Sequence, residues 1–175
     1  MTITYAVGQR LTAEVLQQLA DYTVNRPLVR LVATSTQNIS DNTGTTIQFG
    51  TASTVIDTHG FHSETVNNTR VTPTIAGYYR AWGTIAHGSR TDYATIQSSI
   101  RLNGVDQIGN TRLAPNSTSD SARSGSAEPI TVLCNGTTDY IELGTIQNNT
   151  ANVTQATTAS GSTCSYFEVE FVRPA

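Results

Sequence analysis

The chain contains no lysine: all ten of its basic residues are arginine. That absence removes every mechanism that needs a lysine amine, from Schiff-base catalysis to phosphate-binding loops of the P-loop type. Charge of either sign is scarce, at 13% of residues, against about 25% in ordinary domains. The net charge is −3 and the isoelectric point near 5.5. No basic patch stands out, so nucleic acid is not an expected partner. No apolar run approaches the ~18 residues of a membrane span, so a membrane partner is not expected either. Cysteine is limited to Cys134 and Cys164, too few for a disulfide scaffold. The start, MTITYAVGQR, lacks the apolar stretch of a signal peptide, and the expectation is folding in a reducing cytoplasm with both thiols free. The motifs G-x-S-x-G, H-E-x-x-H and G-x-G-x-x-G are also missing, so neither a catalytic site nor a cofactor is expected.

What the chain does have is threonine, 30 of 175 residues. Threonine is β-branched, stiff at χ1 and suited to a pleated surface. With long helix-favouring side chains scarce, the expected class is all-β. One segment alone carries helical spacing: "LTAEVLQQLADYTV" sets Val15, Leu16, Leu19 and Tyr22 on one stripe. Thr12 can cap it, Glu14 suits its first turn, and Pro27 stops it.

After Pro27 the period becomes two. Strands are expected at 28–34, in "TTIQFG" with Ile47 and Phe49 on one face, at 77–86, and through "YATIQSSIRLNG", which ends in the turn signal Asn103-Gly104. "PITVLCNGTTDYIELGTIQ" reads as a hairpin about Asn135-Gly136. "CSYFEVEFVR" reads as a closing strand with Phe167, Val169 and Phe171 inward and Glu168 and Glu170 outward. Eight or nine such strands suit a two-sheet sandwich or jelly roll. The polar stretches 105–128, with Arg112 and Arg123, and 148–162 read as long surface loops, which are either contact sites or solvated spacers.

The candidate chemistry is thin. His59 and His62 lie three apart without a third metal ligand in register, and His87 stands alone. Glu168 and Glu170 project on one strand face about 7 Å apart, within the range of a glycosidase pair, but outward solvent-facing charges explain them better. The run "GYYRAWGTIA" is more informative. Tyr79, Ala81 and Gly83 share one face, and Tyr78, Arg80 and Trp82 the other. One face must be core. The other, Tyr78–Arg80–Trp82 if Tyr79 points inward, would stack sugars or form a subunit interface. The interface is preferred, because Tyr, Trp and Arg are the residues enriched there.

These residues resemble the tumour necrosis factor and complement globular-head superfamily. The resemblance lies in "FHSETVNNTRVTPTIAGYY", with Gly77-Tyr78-Tyr79 at the family's Gly-x-Tyr; in Ile100-Arg101-Leu102-Asn103-Gly104; in "TVLCNGTTDYIELGTIQ"; and in "SYFEVEFV". It departs at Pro73, one residue farther from its glycine than is usual, and at Ala81, where the family's aromatic is displaced to Trp82. The resemblance implies a ten-strand jelly roll and a compact homotrimer. It also implies that Cys134 and Cys164 sit on strands that are not side by side. The front, "YAVGQRLTAEVLQQLADYTVNRPLVRL", is similar to the start of small virion proteins of tailed phages that infect GC-rich bacteria, in keeping with the all-arginine usage. Such jelly rolls serve as head decoration, head fibres or tail-tip knobs.

The resulting expectation has two parts: an arm and helix over 1–27 for attachment or oligomer contact, with Val15, Leu16 and Leu19 as its contact face and a plug at the base of its own jelly roll as the rival reading, and a displayed jelly roll over 28–175. The implied role is that of a trimeric virion protein, assembled in the host cytoplasm and held on other phage virion proteins, either major capsid or tail proteins. The alternative is a knob that binds host-surface glycan.

Overall fold

A computed structural model describes residues 12, 13, 16, 20, 25–89, 91–107, 111–113, 123–159 and 164–175. The strands are β1 (Leu28–Val32), β2 (Asn38–Ile39), β3 (Thr45–Thr46), β4 (Thr54–Asp57), β5 (Arg70–Val71), β6 (Gly77–His87), β7 (Tyr93–Leu102), β8 (Val105–Asp106), β9 (Thr111–Leu113), β10 (Arg123–Cys134), β11 (Ile141–Asn149), β12 (Gln155–Ala156) and β13 (Tyr166–Pro174). Five of these are two-residue pairings; the other eight match the strand count that the alternation implied.

All the ladders are antiparallel. One sheet runs β10-β6-β13-β1-β4. The second runs β3-β11-β7-β8, with β5 on β11 and β9 on β7, and β12-β2 form a separate ribbon. The two larger sheets pack face to face as a jelly-roll sandwich. The core between them holds Leu31, Phe49, Tyr79, Ile85, Ile100, Leu143, Phe167 and Phe171. Tyr79 stacks edge-on against Phe171, with centroids 5.3 Å apart, and against Phe61 at 6.2 Å. Its hydroxyl donates to the Ile75 carbonyl at 2.8 Å, so the one polar atom of this buried ring is satisfied.

The closing strand follows its alternation: Phe167, Val169 and Phe171 are buried and Glu168 and Glu170 point out. Ile47 and Phe49 are both buried, as their spacing implied. Asn103 and Gly104 have φ of 54° and 78° and join Leu102 to its ladder partner Val105. That is the two-residue turn such a dipeptide favours.

The expected hairpin about Asn135-Gly136 is a correction. The turn exists: Gly136 has φ 75°, and Asn135 Oδ1 accepts the N–H groups of Thr137, Thr138 and Asp139. But β10 pairs with β6 and β11 with β7, so the connection passes from one sheet to the other. A six-residue link easily spans the ~10 Å between packed sheets. The Asp139 carboxylate pins it by accepting from Asn135 N–H and from Asn103 Nδ2.

The two expected loops are also partly strand. Residues 105–128 contain β8, β9 and the first half of β10. They looked like loop because the inward residues there are Gly125 and Ala127, small enough to let β10 approach Ser98 and Ile96. In the stretch 148–162 the order comes from buried amides. Gln147 Nε2 donates to the Ile39 and Val153 carbonyls, and Asn149 Nδ2 donates to Gln147 Oε1.

Of the N-terminal helix, Ala13, Leu16 and Ala20 are described and are helical, with Leu16 N–H donating to the Thr12 carbonyl at 3.0 Å. Val15 and Leu19 lie outside the described residues. The jelly roll is tied to residues 26 and 27: the Arg26 guanidinium donates to the Phe171 carbonyl, and Phe171 N–H donates to the Pro27 carbonyl.

Gly83 sits at a close approach in the middle of β6. A Cβ there would lie 2.6 Å from the Tyr166 carbonyl oxygen on β13 and 3.0 Å from Leu143 in the facing sheet. Neither a backbone oxygen in a ladder nor a fully buried leucine yields cheaply. Gly83→Ala is expected to lower stability by about 1–3 kcal/mol. Thr84→Ala, one residue on and facing out, should stay within about 1 kcal/mol. Urea midpoints for the two variants provide the check.

Candidate functional site

Tyr79 and Ala81 on β6 are fully buried, so Tyr78, Arg80 and Trp82 occupy the outer face of the five-stranded sheet. The register places other side chains beside them. Tyr78 lies between Leu133 on β10 and Arg173 on β13. Arg80 lies between Thr131 and Glu170, and Trp82 lies beside Glu168, which faces Arg30 and, beyond it, Ile56 on the edge strand β4. The Arg173 guanidinium sits 4.1 Å above the Tyr78 ring. Arg80 pairs with Glu170 at 3.7 Å and Arg30 with Glu168 at 3.8 Å.

This face has an unusual composition for an outward one. Tyr78 and Trp82 are only part covered, and Leu133 and Ile56 are 48% and 37% exposed. Four of its charges form two Arg–Glu pairs, and the fifth, Arg173, lies over the Tyr78 ring. Solvent-exposed pairs of this kind contribute only about 0–1 kcal/mol each, so stability does not explain them. What they do is leave an aromatic surface on which both carboxylates are paired, so that a protein partner can cover it without stranding either of them. The sequence signalled Tyr78, Arg80, Trp82 and the two glutamates. It missed Leu133, Ile56, Arg30 and Arg173, because their neighbourhood depends on strand order.

The opposite outer face, on the second sheet, is polar and tied to itself. Arg101 Nε donates to Asp106 Oδ1 at 2.7 Å, and Ser99 donates to the same oxygen. Arg70 pairs with Glu142 at 3.4 Å and lies over the Tyr140 ring.

The histidines do not make a metal site among the described residues. His62 is a clasp: its ring nitrogens lie 2.9 Å from the Arg70 carbonyl and 3.0 Å from the Phe49 carbonyl, which leaves neither free for a metal. Beside it Glu64 accepts from Ala52 and Thr54 N–H, and these backbone bonds hold its carboxyl below the usual range. His59 Nδ1 lies 2.8 Å from Thr58 Oγ1, a hydroxyl–imidazole contact of the kind that activates a nucleophile. Yet that hydroxyl already accepts from Leu28 N–H, and the Asp57 carboxylate is committed to the N–H groups of His59, Phe61 and His62. Among the described residues no carboxylate orients His59 as a triad requires.

Cys134 and Cys164 are both free. Cys134 pairs with Gly77 at one end of β6, whereas Tyr166, just past Cys164, pairs with Thr84. Seven residues of strand separate those positions, about 23 Å at ordinary strand rise, beyond the ~7 Å limit for a disulfide. Burial, helped by the Asp139 charge, pushes the Cys134 thiol up to about 12 and makes it unreactive.

No protein-family model matches the chain, and no curated protein does. Solved structures do. Murine APRIL at pH 8.0 superposes with a TM-score of 0.59 at 11% identity, over 83% of this chain and 99% of that one. Murine APRIL at pH 8.5 gives 0.57 at 12% identity, with the same coverage. The Eiger TNF of S. frugiperda gives 0.52 at 13% identity, over 86% of this chain and 94% of that one. At such identities the likeness concerns the fold: this is a TNF-like jelly roll.

One buried group gives the fold a pH dependence. His87 ends β6 between the sheets and is fully buried. Thr145 donates its hydroxyl to the Gln97 carbonyl, so at 3.2 Å it accepts from His87 Nε2. Nδ1 finds no partner among the described residues. Burial disfavours the imidazolium and lowers the pKa from 6.5 to about 4. Above pH 6.5 folded and unfolded chains are both neutral here. Between 6.5 and 4 only the unfolded chain takes the proton, so stability falls as pH falls, by up to about 3 kcal/mol. His87→Gln is expected to remove that part of the loss, measured as the difference in unfolding free energy between pH 7 and pH 4.

Proposed function

We propose that this protein is a non-catalytic structural protein that works as a homotrimer. In this reading three jelly rolls join through the outer face of the five-stranded sheet and are displayed on the particle of a tailed phage, as capsid decoration, cement or head fibre. The observation that carries the trimer is the Tyr78–Arg80–Trp82 stripe, flanked by Leu133 and Ile56 and neutralised by Glu168 and Glu170. Closed cyclic symmetry buries such a face once in every subunit. Aromatic and arginine anchors with paired charges are what a protein–protein interface selects.

The phage assignment rests on the N-terminal resemblance and the all-arginine usage, and the attachment reading on the helix. Leu16, the described member of the Val15–Leu16–Leu19 face, is 51% exposed, which supports attachment over the rival reading that the helix plugs the base of its own jelly roll. A helix this short needs a partner surface, and a trimer presents three copies, which raises the effective concentration of each. The partners in this reading are major capsid or tail proteins of the same virion. A second reading, a knob that binds host-surface glycan, draws support from an uncharged groove on the opposite sheet.

Two measurements test the first reading. Light scattering should give about three times the 18.7 kDa chain mass, and Trp82→Glu should reduce it to the single chain while circular dichroism stays β; a stable wild-type monomer at micromolar concentration would overturn the trimer. Deleting residues 1–24 should leave a folded trimer that no longer joins particles; a truncated chain that unfolds, or binds particles as the full chain does, rejects the attachment arm.

A further inference from the structure

On the outer face of the second sheet, Gln97 pairs across the ladder with Ile146, two residues along from Thr95 opposite Asn148. Together with Asn42 these side chains line an open groove of about 270 Å³. The wall is pre-set. Asn42 holds a left-handed φ of 48°, and its N–H donates to the Gln147 carbonyl at 2.8 Å. The neighbouring Asp41 carboxylate accepts from Asn149 N–H at 2.8 Å.

Elsewhere on this face the polar side chains are spoken for: Ser99, Arg101, Asp106, Thr69, Arg70 and Glu142 all bond one another. The three amides of Asn42, Gln97 and Asn148 do not bond to anything among the described residues. Each therefore presents two N–H donors and one carbonyl acceptor to the groove. Among the described residues no charged side chain lines it.

We propose that this groove is a binding site for a neutral hexopyranose unit. A hydroxyl is donor and acceptor at once and satisfies both ends of an amide, which a carboxylate or an ammonium cannot do. Ile146 supplies an apolar floor for the C–H face of the ring. Among the described residues the groove has no aromatic platform, so a single sugar binds in the millimolar range, and a trimer carrying three grooves gains by avidity on a glycan-coated surface. The inference rests on the glycan-knob reading and names its site.

The test is an NMR titration of deuterated, ¹⁵N-labelled full-length protein with D-glucose, D-galactose and N-acetylglucosamine. Glycerol is the polyol control, and glucuronate the charged one. The expected result is saturable shifts of the Asn42, Gln97 and Asn148 side-chain NH₂ signals with at least one neutral sugar. Gln97→Ala and Asn148→Ala should each weaken that binding about tenfold, with the backbone spectrum otherwise unchanged. Saturable shifts that map elsewhere would overturn this site while leaving the knob reading standing, and no saturable shift with any sugar would remove both. Shifts that glycerol reproduces, tighter binding of glucuronate, or variants that bind as the parent does would each overturn the neutral-hexose assignment.

Discussion

The pairing of β13 into the middle of the five-stranded sheet is the constraint on which the rest of the molecule depends. The last strand lies between β1, the first, and β6. Its inward side chains, Phe167, Val169 and Phe171, meet Phe49, Tyr79 and the facing sheet; its outward ones, Glu168 and Glu170, meet Arg30 and Arg80. One strand thus completes the core and sets the charge pattern of the outer face. Because its partners lie far away along the chain, the sheet cannot close until the whole domain is present, a topology that folds slowly for its size.

The strict alternation of β13 and β6 also separates the two kinds of chemistry in the protein. The same period of two that buries Tyr79 turns Tyr78 and Trp82 outward, and a one-residue slip would exchange the faces. The bulky Tyr79–Phe171 contact and the missing side chain at Gly83 oppose that slip from either side. The sandwich therefore shows two unlike surfaces: an aromatic one carrying two Arg–Glu pairs, and a polar one of paired charges, hydroxyls and amides. In a trimer joined through the first, the second would face outward.

Much of this was legible in the residues. Threonine-rich alternation, the Asn103-Gly104 turn and the inward phenylalanines of the closing strand are all local, and local sterics decide them, whereas which face of the Tyr78–Trp82 run is core stayed open. Where the reading failed, the missing information was nonlocal. The runs flanking Asn135-Gly136 looked like a hairpin, since a turn dipeptide reports a change of direction and not which sheet each strand joins. The start of β10 looked like loop, since Gly125 and Ala127 have little hydrophobicity to show, and their smallness matters only against Ser98 and Ile96 across the core. Asn149 looked like part of a surface loop, and a network of buried amides shared with Gln147 holds it instead.

The sequence by itself determined the class, the two-residue alternation of the strands and the absence of lysine chemistry, because these follow from side-chain shape, from the strand period and from composition. Tertiary structure alone decided which strands are neighbours. It brought Leu133 and Ile56 to either side of the aromatic stripe, set Arg30 and Arg80 against Glu168 and Glu170, and gathered Asn42, Gln97 and Asn148 about Ile146. The physical reason is that ladder order is a property of the whole fold. Each strand can pair with many others, and it is the joint burial of every inward face that selects one arrangement.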